Sequence, residues 1–394
     1  MRKISFGLLP RILIAILLGI GSGLFLPLPF VRVFATFNAV FSNFLQFLIP
    51  LIILGLVTPA IADLGKGAGK LLAITALIAY ADTVFSGFFS YAVSVSVFPS
   101  LIGSVTDAQI KDIAGGVEPF FNIAIPPIMD IMTALVLSFT LGLGIAFFKS
   151  SNLKGLASEF KDIIVKAIDI VILPLLPIYI FGIFLSMTHT GQVFDILKVF
   201  ISIIGVIFLM HIVLLIFQYF IAGLVAKKNP FRLLATMLPA YFTALGTSSS
   251  AATIPVTLMQ TEKNGVSKEI AGFVVPLCAT IHLSGSTMKI TACAIALMMM
   301  QGMNFDMGLM IGFIMMLGIM MVAAPGVPGG AIMAAIGLLA SMLGFGESQQ
   351  ALMIALYIAM DNFGTACNVT GDGAIAVVMD KIFHKNKIAV ERVK

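Results

Sequence analysis

The chain has 394 residues, of which 60% are hydrophobic and only 10% are Asp, Glu, Lys or Arg. A soluble domain carries about 25% charged residues to hydrate its surface, so a soluble enzyme or nucleic-acid-binding protein does not fit. The net charge of +5 comes from short basic clusters between apolar runs, which read as topology signals. This is the composition of a polytopic membrane protein.

Apolar runs near 7–28, 36–62, 71–100, 119–148, 167–188 and 195–225 supply the roughly 20 residues a bilayer crossing needs. The first is too long for a signal-peptide core and is expected to be a retained helix. Arg2 and Lys3 at one end and Lys381, Lys385, Lys387, Arg392 and Lys394 at the other place both termini in the cytoplasm of a multi-pass inner-membrane protein. Lys66 and Lys70, then Lys149, Lys154, Lys161 and Lys166, then Lys227, Lys228 and Arg232 mark further inside loops. Residues 103–118, with Asp107, Asp112 and Glu118 against Lys111, read as outside. Cys278, Cys293 and Cys367 lie in apolar segments, so neither a disulfide framework nor a CxxC metal site is visible, and the histidines form no ligand cluster.

The second half breaks this alternation. Segment 233–258 lies between basic loops and is interrupted by Gly246-Thr247-Ser248-Ser249-Ser250. Each arm of roughly 12 residues rises only about 18 Å, short of a ~30 Å hydrocarbon core. A hairpin entering and leaving on the inner side is expected. Segment 308–343, broken by Pro325-Gly326-Val327-Pro328-Gly329-Gly330, is expected to do the same from outside. Irregular backbone at membrane depth is tolerated where protein buries it or it lines a watery cavity, and paired interrupted segments point to a transporter binding site. Ordinary kinked hairpins are the simpler alternative.

The last long apolar segment carries Asp361, Thr365, Asn368 and Asp372 at spacings of four, three and four, which share one helical face. A charge at the bilayer centre costs roughly 3 kcal/mol or more, so two carboxylates there need a cation, an amine or water. The preceding segment holds Thr280-Ile281-His282-Leu283-Ser284-Gly285-Ser286-Thr287. Its glycine among serines permits a local break that frees carbonyls for a hard cation; alternatively the serines bond back to the preceding turn.

Three features stand in register: Gly246-Thr-Ser-Ser-Ser-Ala-Ala-Thr253-Ile-Pro255-Val-Thr257, the Pro-Gly-Val-Pro-Gly-Gly turn, and Asn368-Val-Thr-Gly-Asp372. Together they resemble the glutamate transporter family, the dicarboxylate/amino-acid:cation symporters, over nearly the whole chain. The resemblance implies an all-α fold of eight transmembrane helices and two re-entrant hairpins, with inverted repeats, in a homotrimer. Scaffold helices would occupy 1–70 and 119–190. An elevator-like transport domain would comprise 71–100 and 195–385, including the inner hairpin 233–258, helix seven at 268–302, the outer hairpin 308–343 and helix eight at 348–385. By the same resemblance, Asp361 would bind a substrate ammonium and Asn368 its carboxylate. Backbone groups at Ser249, Ser250, Val327 and Gly330 would complete the clamp, with Thr365 and Ser286 lining it. Asp372 with carbonyls of Cys278, His282 and Asn368 would form one Na⁺ site. Carbonyls near Thr280 and of Met321, Val322 and Ala324 would form another.

The sequence departs from that family twice. Acidic-substrate members carry an arginine three residues after the ammonium-binding aspartate, where Gly364 stands here, and Ser248 fills the other position from which one could reach. A second substrate carboxylate would be buried unpaired. The expected substrate is a neutral amino acid, with room for a bulky one at Gly364. Secondly, His282-Leu283-Ser284-Gly285-Ser286 replaces Asn-Met-Asp-Gly-Thr, removing the carboxylate of a deep Na⁺ site whose third-helix partners persist only as Tyr80 and Thr83, with Val84 beside them. Asp82 and Lys289 are the expected charge substitutes, as an ion pair or through Lys289 alone, and His282 is a candidate proton carrier.

The expected function is Na⁺-coupled import of a small amino acid, without organic cofactor or nucleic-acid partner. The alternative is a proton- or Na⁺-coupled symporter of dicarboxylates or acidic amino acids. An intramembrane aspartyl protease would want a glycine at Val369 and a tyrosine at Ala81, and a serine hydrolase at Ser248–Ser250 lacks a nucleophile elbow. A channel remains the other class.

Overall fold

The computed structural model describes residues 8–64, 69–102, 117–148, 151–191, 193–324 and 328–391. Among them every regular element is helical: α1 (Leu8–Gly23), α2 (Leu28–Leu64), α3 (Gly69–Ile102), α4 (Ile131–Phe148), α5 (Ser151–Ala167), α6 (Leu173–His189), α7 (Val193–Ala226), α8 (Pro230–Thr247), α9 (Ser250–Lys263), α10 (Lys268–Ile281), α11 (Ser284–Met300), α12 (Met307–Ala323), α13 (Gly330–Leu343), α14 (Glu347–Ala359) and α15 (Asp361–Glu391). Most of the acidic loop, the N-terminal Arg2 and Lys3, and Val327 fall outside the described residues.

Among the described residues, five helical stretches are long and apolar enough to cross a bilayer: Leu28–Ala62, Lys70–Ile102, Asn152–His189, Leu197–Ala226 and Lys268–Met300. A sixth, α14 with α15, is bent by 61°. Leu17, Leu18, Phe147, Phe148, Ile201 and Leu209 point outward and exposed, an exterior that suits lipid and not water.

Three segments differ from the sequence expectation. Residues 117–130 are extended and not helical; Pro126-Pro127 removes two N–H donors and pushes the preceding residue out of the helical region. This stretch lies along α2, where Arg32 Nε donates to Glu118 O at 3.1 Å and Thr36 Oγ1 accepts from Phe120 N at 2.9 Å. The basic stretch through Lys154, Lys161 and Lys166 is the helix α5 and not a loop, and it runs into α6 through a single π turn at Ile168–Ile172. The final span is not one helix: it breaks at Met360, so Asp361 opens α15 instead of lying inside a continuous run.

The helices pack in two groups. In one, α1 lies on α6 and α2 lies on α4, α5 and α6. In the other, α3 lies on α11 and α12, while α15 is surrounded by α7, α8, α9, α10 and α11. The groups meet where α2 touches α12 and α13 and where α1 and α6 touch α14. One tight approach within the first group is at Gly142, where an added Cβ would sit 2.7 Å from Ile61 Cβ and 2.9 Å from the Thr58 carbonyl oxygen. That oxygen is backbone and cannot rotate away. Gly142→Val is expected to cost about 1–3 kcal/mol by overpacking, read as a lowered Tm of detergent-purified protein; an unchanged Tm would contradict this packing.

Candidate functional site

Three interruptions of the helical backbone, the α8–α9 and α12–α13 reversals and the break at Met360, meet at one cavity. Chain reversal between α8 and α9 places Ser248 in the left-handed region at φ 51°, and Ser249 then caps α9 by accepting from Ala252 N at 3.3 Å. A left-handed conformation is unfavourable for serine by roughly 1–2 kcal/mol. Ser248 recovers a strong contact, since its hydroxyl donates to Asn362 Oδ1 at 2.6 Å, and Asn362 Nδ2 donates to Leu245 O at 2.8 Å. At the reversal between α12 and α13, Gly329 has φ 75° and its N–H donates to Asp361 Oδ2 at 2.9 Å. Both tips are therefore bonded to the first residues of α15.

A cavity of about 270 Å³ lies among these parts, lined by Leu8, Pro10, Gly246, Thr247, Ser248, Pro328, Ile358, Asp361 and Asn362. Three helices, α9, α13 and α15, begin here. Their first N–H groups lack intrahelical acceptors and carry the positive end of the helix dipole, which favours an anionic ligand. A larger opening of about 320 Å³ between α2 and α6 is bordered by Glu118 and Glu347 and includes none of the paired buried charges.

Behind the cavity, Lys289 is fully buried with its Nζ 3.0 Å from Asp361 Oδ1. The ammonium also lies 3.6 Å from the centre of the Tyr357 ring and donates to Met360 O at 3.4 Å. Met360 is the residue at which the last span breaks, and its carbonyl accepts both from the lysine and from Gly364 N, the latter at 3.2 Å. Gly364 explains how the lysine fits: a Cβ there would meet Lys289 Nζ at 2.6 Å and Cε at 2.8 Å. The space expected to receive a bulky substrate is thus filled by Lys289.

A second buried network lies roughly 16 Å further along α15, eleven residues at 1.5 Å each. Here α10 ends at Ile281 and α11 begins at Ser284, so helix seven is broken at His282-Leu283. His282 bridges two carboxylates, with Nδ1 2.9 Å from Asp372 Oδ1 and Nε2 2.7 Å from Asp82 Oδ2. Gln218, from α7, donates to the same Asp82 oxygen at 2.6 Å and to Ser284 Oγ at 3.2 Å. A neutral imidazole has one N–H; only the imidazolium donates to both carboxylates. The expected Asp82–Lys289 pair does not form: Lys289 belongs to Asp361, and the basic partner of Asp82 is His282. Asp82 lies at a crevice of about 250 Å³ together with Phe85, Phe217 and Gln218, while His282 and Asp372 are sealed from it.

Asp372 Oδ2 has no hydrogen-bond partner among the described residues, nor have the buried hydroxyls of Thr83, Thr287 and Thr370. An unpartnered carboxylate oxygen beside a helix break with freed carbonyls is a donor set suited to a hard monovalent cation. The remaining residues singled out in the sequence divide by depth. Asn368 Oδ1 accepts from Gly285 N at 2.8 Å and its Nδ2 donates to Ser286 Oγ at 3.2 Å, while Ser286 Oγ lies 2.9 Å from Tyr357 OH. This amide is engaged at both ends and does not border the cavity. Ser250, Gly330, Thr365 and Cys278 are buried and Ser249 is half-buried. Thr280 is exposed, its hydroxyl donating to Leu277 O at 2.7 Å. Met321 and Ala324 are buried and Val322 half-buried at the end of α12, where Ala324 N donates to Met321 O at 3.3 Å. Gln218, Tyr357 and Asn362 were not anticipated. Gln218 left a trace, as an amide in a long apolar helix; Tyr357 left none.

The sodium:dicarboxylate symporter family matches residues 8–382. The chain belongs to this family. It is 26% identical over 390 residues to the serine/threonine transporter SstT of Acinetobacter baumannii, covering 95% of this chain and 96% of that protein. It is also 31% identical over 179 residues to human excitatory amino acid transporter 2, covering 45% of this chain and 30% of that one. The family consists of cation-coupled symporters of amino acids or dicarboxylates, which are transporters and not enzymes, and the apolar helices of this chain suit a multi-pass membrane protein.

Replacing His282 by Leu strips Asp82 and Asp372 of their shared donor. Removing one partner of a buried charge network costs about 3–5 kcal/mol, with the low end expected because Asp82 reaches a crevice. A second change, Asp82→Asn, should recover part of the lost Tm in detergent. A His282→Leu protein as stable as the parent would refute the bridge.

Proposed function

We propose that this protein is a Na⁺-coupled symporter that carries a small carboxylate-bearing solute in the cavity between the two hairpin tips. One observation carries the reading: both tips and the break of the last span close on a cavity lined by Ser248 and Pro328, each two residues ahead of a helix start, and by the buried carboxylate that opens α15. A carboxylate solute would sit against those N-termini. The hairpins α8–α9 and α12–α13 would be re-entrant, the second acting as the outer gate, and they add to eight spans. The group containing α3 and α7 to α15 would be the moving body, sliding as an elevator against a scaffold of α1, α2, α4, α5 and α6. The protein would form a homotrimer in the cell inner membrane with both termini cytoplasmic. The two-group packing is consistent with such a division.

Coupling to a cation has support in the charge balance. Asp82, Asp361 and Asp372 face Lys289 and a doubly donating His282, which leaves one negative charge, beside the unpartnered Asp372 oxygen. One bound Na⁺ would neutralise it. On this reading His282 and Lys289 stand where other chains could use further ions, so coupling involves few cations.

Proteoliposomes with an inward Na⁺ gradient test the proposal. Saturable uptake and counterflow of an amino acid or C4 dicarboxylate are expected. Asp372→Asn should lower Na⁺ stimulation by about tenfold or more, equivalent to 1.4 kcal/mol. Uptake indifferent to Na⁺, or non-saturable flux, would overturn it.

A further inference from the structure

The cavity rim contains one carboxylate, Asp361, among its described residues. A solute bearing an ammonium group would find its counter-charge in that carboxylate, because the other described lining side chains are uncharged. Asp361 is already committed on both oxygens. Oδ1 holds the Lys289 ammonium at 3.0 Å and Oδ2 holds the Gly329 N–H at 2.9 Å. The lysine is no stray contact. It is fully buried, it is stacked against Tyr357, and it occupies the volume that the missing Cβ of Gly364 leaves open.

We propose that Lys289 is a built-in ammonium that sets solute class: it neutralises Asp361 from within, so the transporter accepts carboxylates that lack an α-ammonium and rejects amino acids. An incoming ammonium would either share Asp361 with Lys289, placing two like charges at contact distance in a water-poor site, or expel Lys289 into a pocket with no other counter-charge. A carboxylate meets neither obstacle. It finds helix N-termini in front and a neutral ion pair behind. A 2-hydroxy acid fits these demands, whereas serine or aspartate does not. The inference rests on reading this cavity as the solute site.

Matched pairs test it: lactate against alanine, glycerate against serine, and malate against aspartate, each differing in hydroxyl against ammonium at one carbon. Thermal shifts of the full-length purified protein in Na⁺ give apparent affinities. The parent protein is expected to bind at least one hydroxy member about tenfold or more tightly than its amino counterpart. Lys289→Met, which frees Asp361, should reverse the order, and Lys289→Gln should do the same if the Met variant folds poorly. A merely structural lysine would lower Tm in both variants without reversing the preference, and that result would overturn the proposal. So would tighter binding of the amino member by the parent protein, which needs no variant; that outcome leaves the cavity as the solute site and sinks only the role of Lys289. If no member of any pair binds the parent or either variant, the solute-site reading itself fails.

Discussion

A charge inside an apolar helical body must find its counter-charge from the protein, because neither lipid nor water supplies one there. This constraint organises the second helical group. Two fully buried basic side chains are in contact with carboxylates, Lys289 with Asp361 and His282 with Asp82 and Asp372, while the buried His211 meets the Gly285 carbonyl. Removing either basic group would strand a carboxylate, at a cost comparable to much of a domain's net stability. The places where helices stop follow from the same need. Met360 ends α14 with its carbonyl shared between Gly364 N and Lys289, and the break at His282-Leu283 sets the imidazole between two helices.

The broken backbone and the buried charge also explain each other at the cavity. Asp361 opens α15, where the helix dipole favours a carboxylate, and its second oxygen accepts from the tip that begins α13. The tip between α12 and α13 is thus held by the same side chain that holds the lysine. Ser248 and Asn362 make the matching bond at the α8–α9 reversal. Asp361 therefore joins the cavity, the lysine and the α12–α13 tip in one group.

Much of this arrangement was legible in the sequence, and the exceptions have physical reasons. Gly246–Ser250 and the Pro-Gly-rich turn announced two reversals, because serine, glycine and proline supply left-handed and extended backbone that apolar helices avoid. The His282–Ser286 stretch announced a break. The break at Met360 was not announced, since Ala359-Met360-Asp361-Asn362 contains no helix breaker and the bend comes from tertiary contacts. The π turn at Ile168–Ile172 does have a local signature, since Pro174 lacks the N–H that an α-helix would send to the Ile170 carbonyl. The pairing of charges was least legible. Asp82 and Lys289 were placed together because both were unexpected, but a sequence carries no register between separate helices. Gln218 and Tyr357 complete the two networks from α7 and α14, which sequence spacing could not bring to them.

Gly364 shows how far a single position misleads when its neighbour in space is unseen. Read alone, it is an arginine lost, hence a cation lost and a space gained. In the structure the space is taken and a cation is present, delivered from α11 instead of α15. The two positions depend on each other: with any Cβ at residue 364, Lys289 must withdraw, and without Lys289 the Asp361 carboxylate lacks its partner. The two origins do not give the same chemistry. A guanidinium presents a planar fork that can clamp a ligand carboxylate with two bonds, whereas an ammonium is a compact point charge. Held at 3.0 Å by Asp361 and backed by an aromatic ring, that ammonium has its charge answered from within the protein, so its effect on a solute is exerted through the aspartate it neutralises.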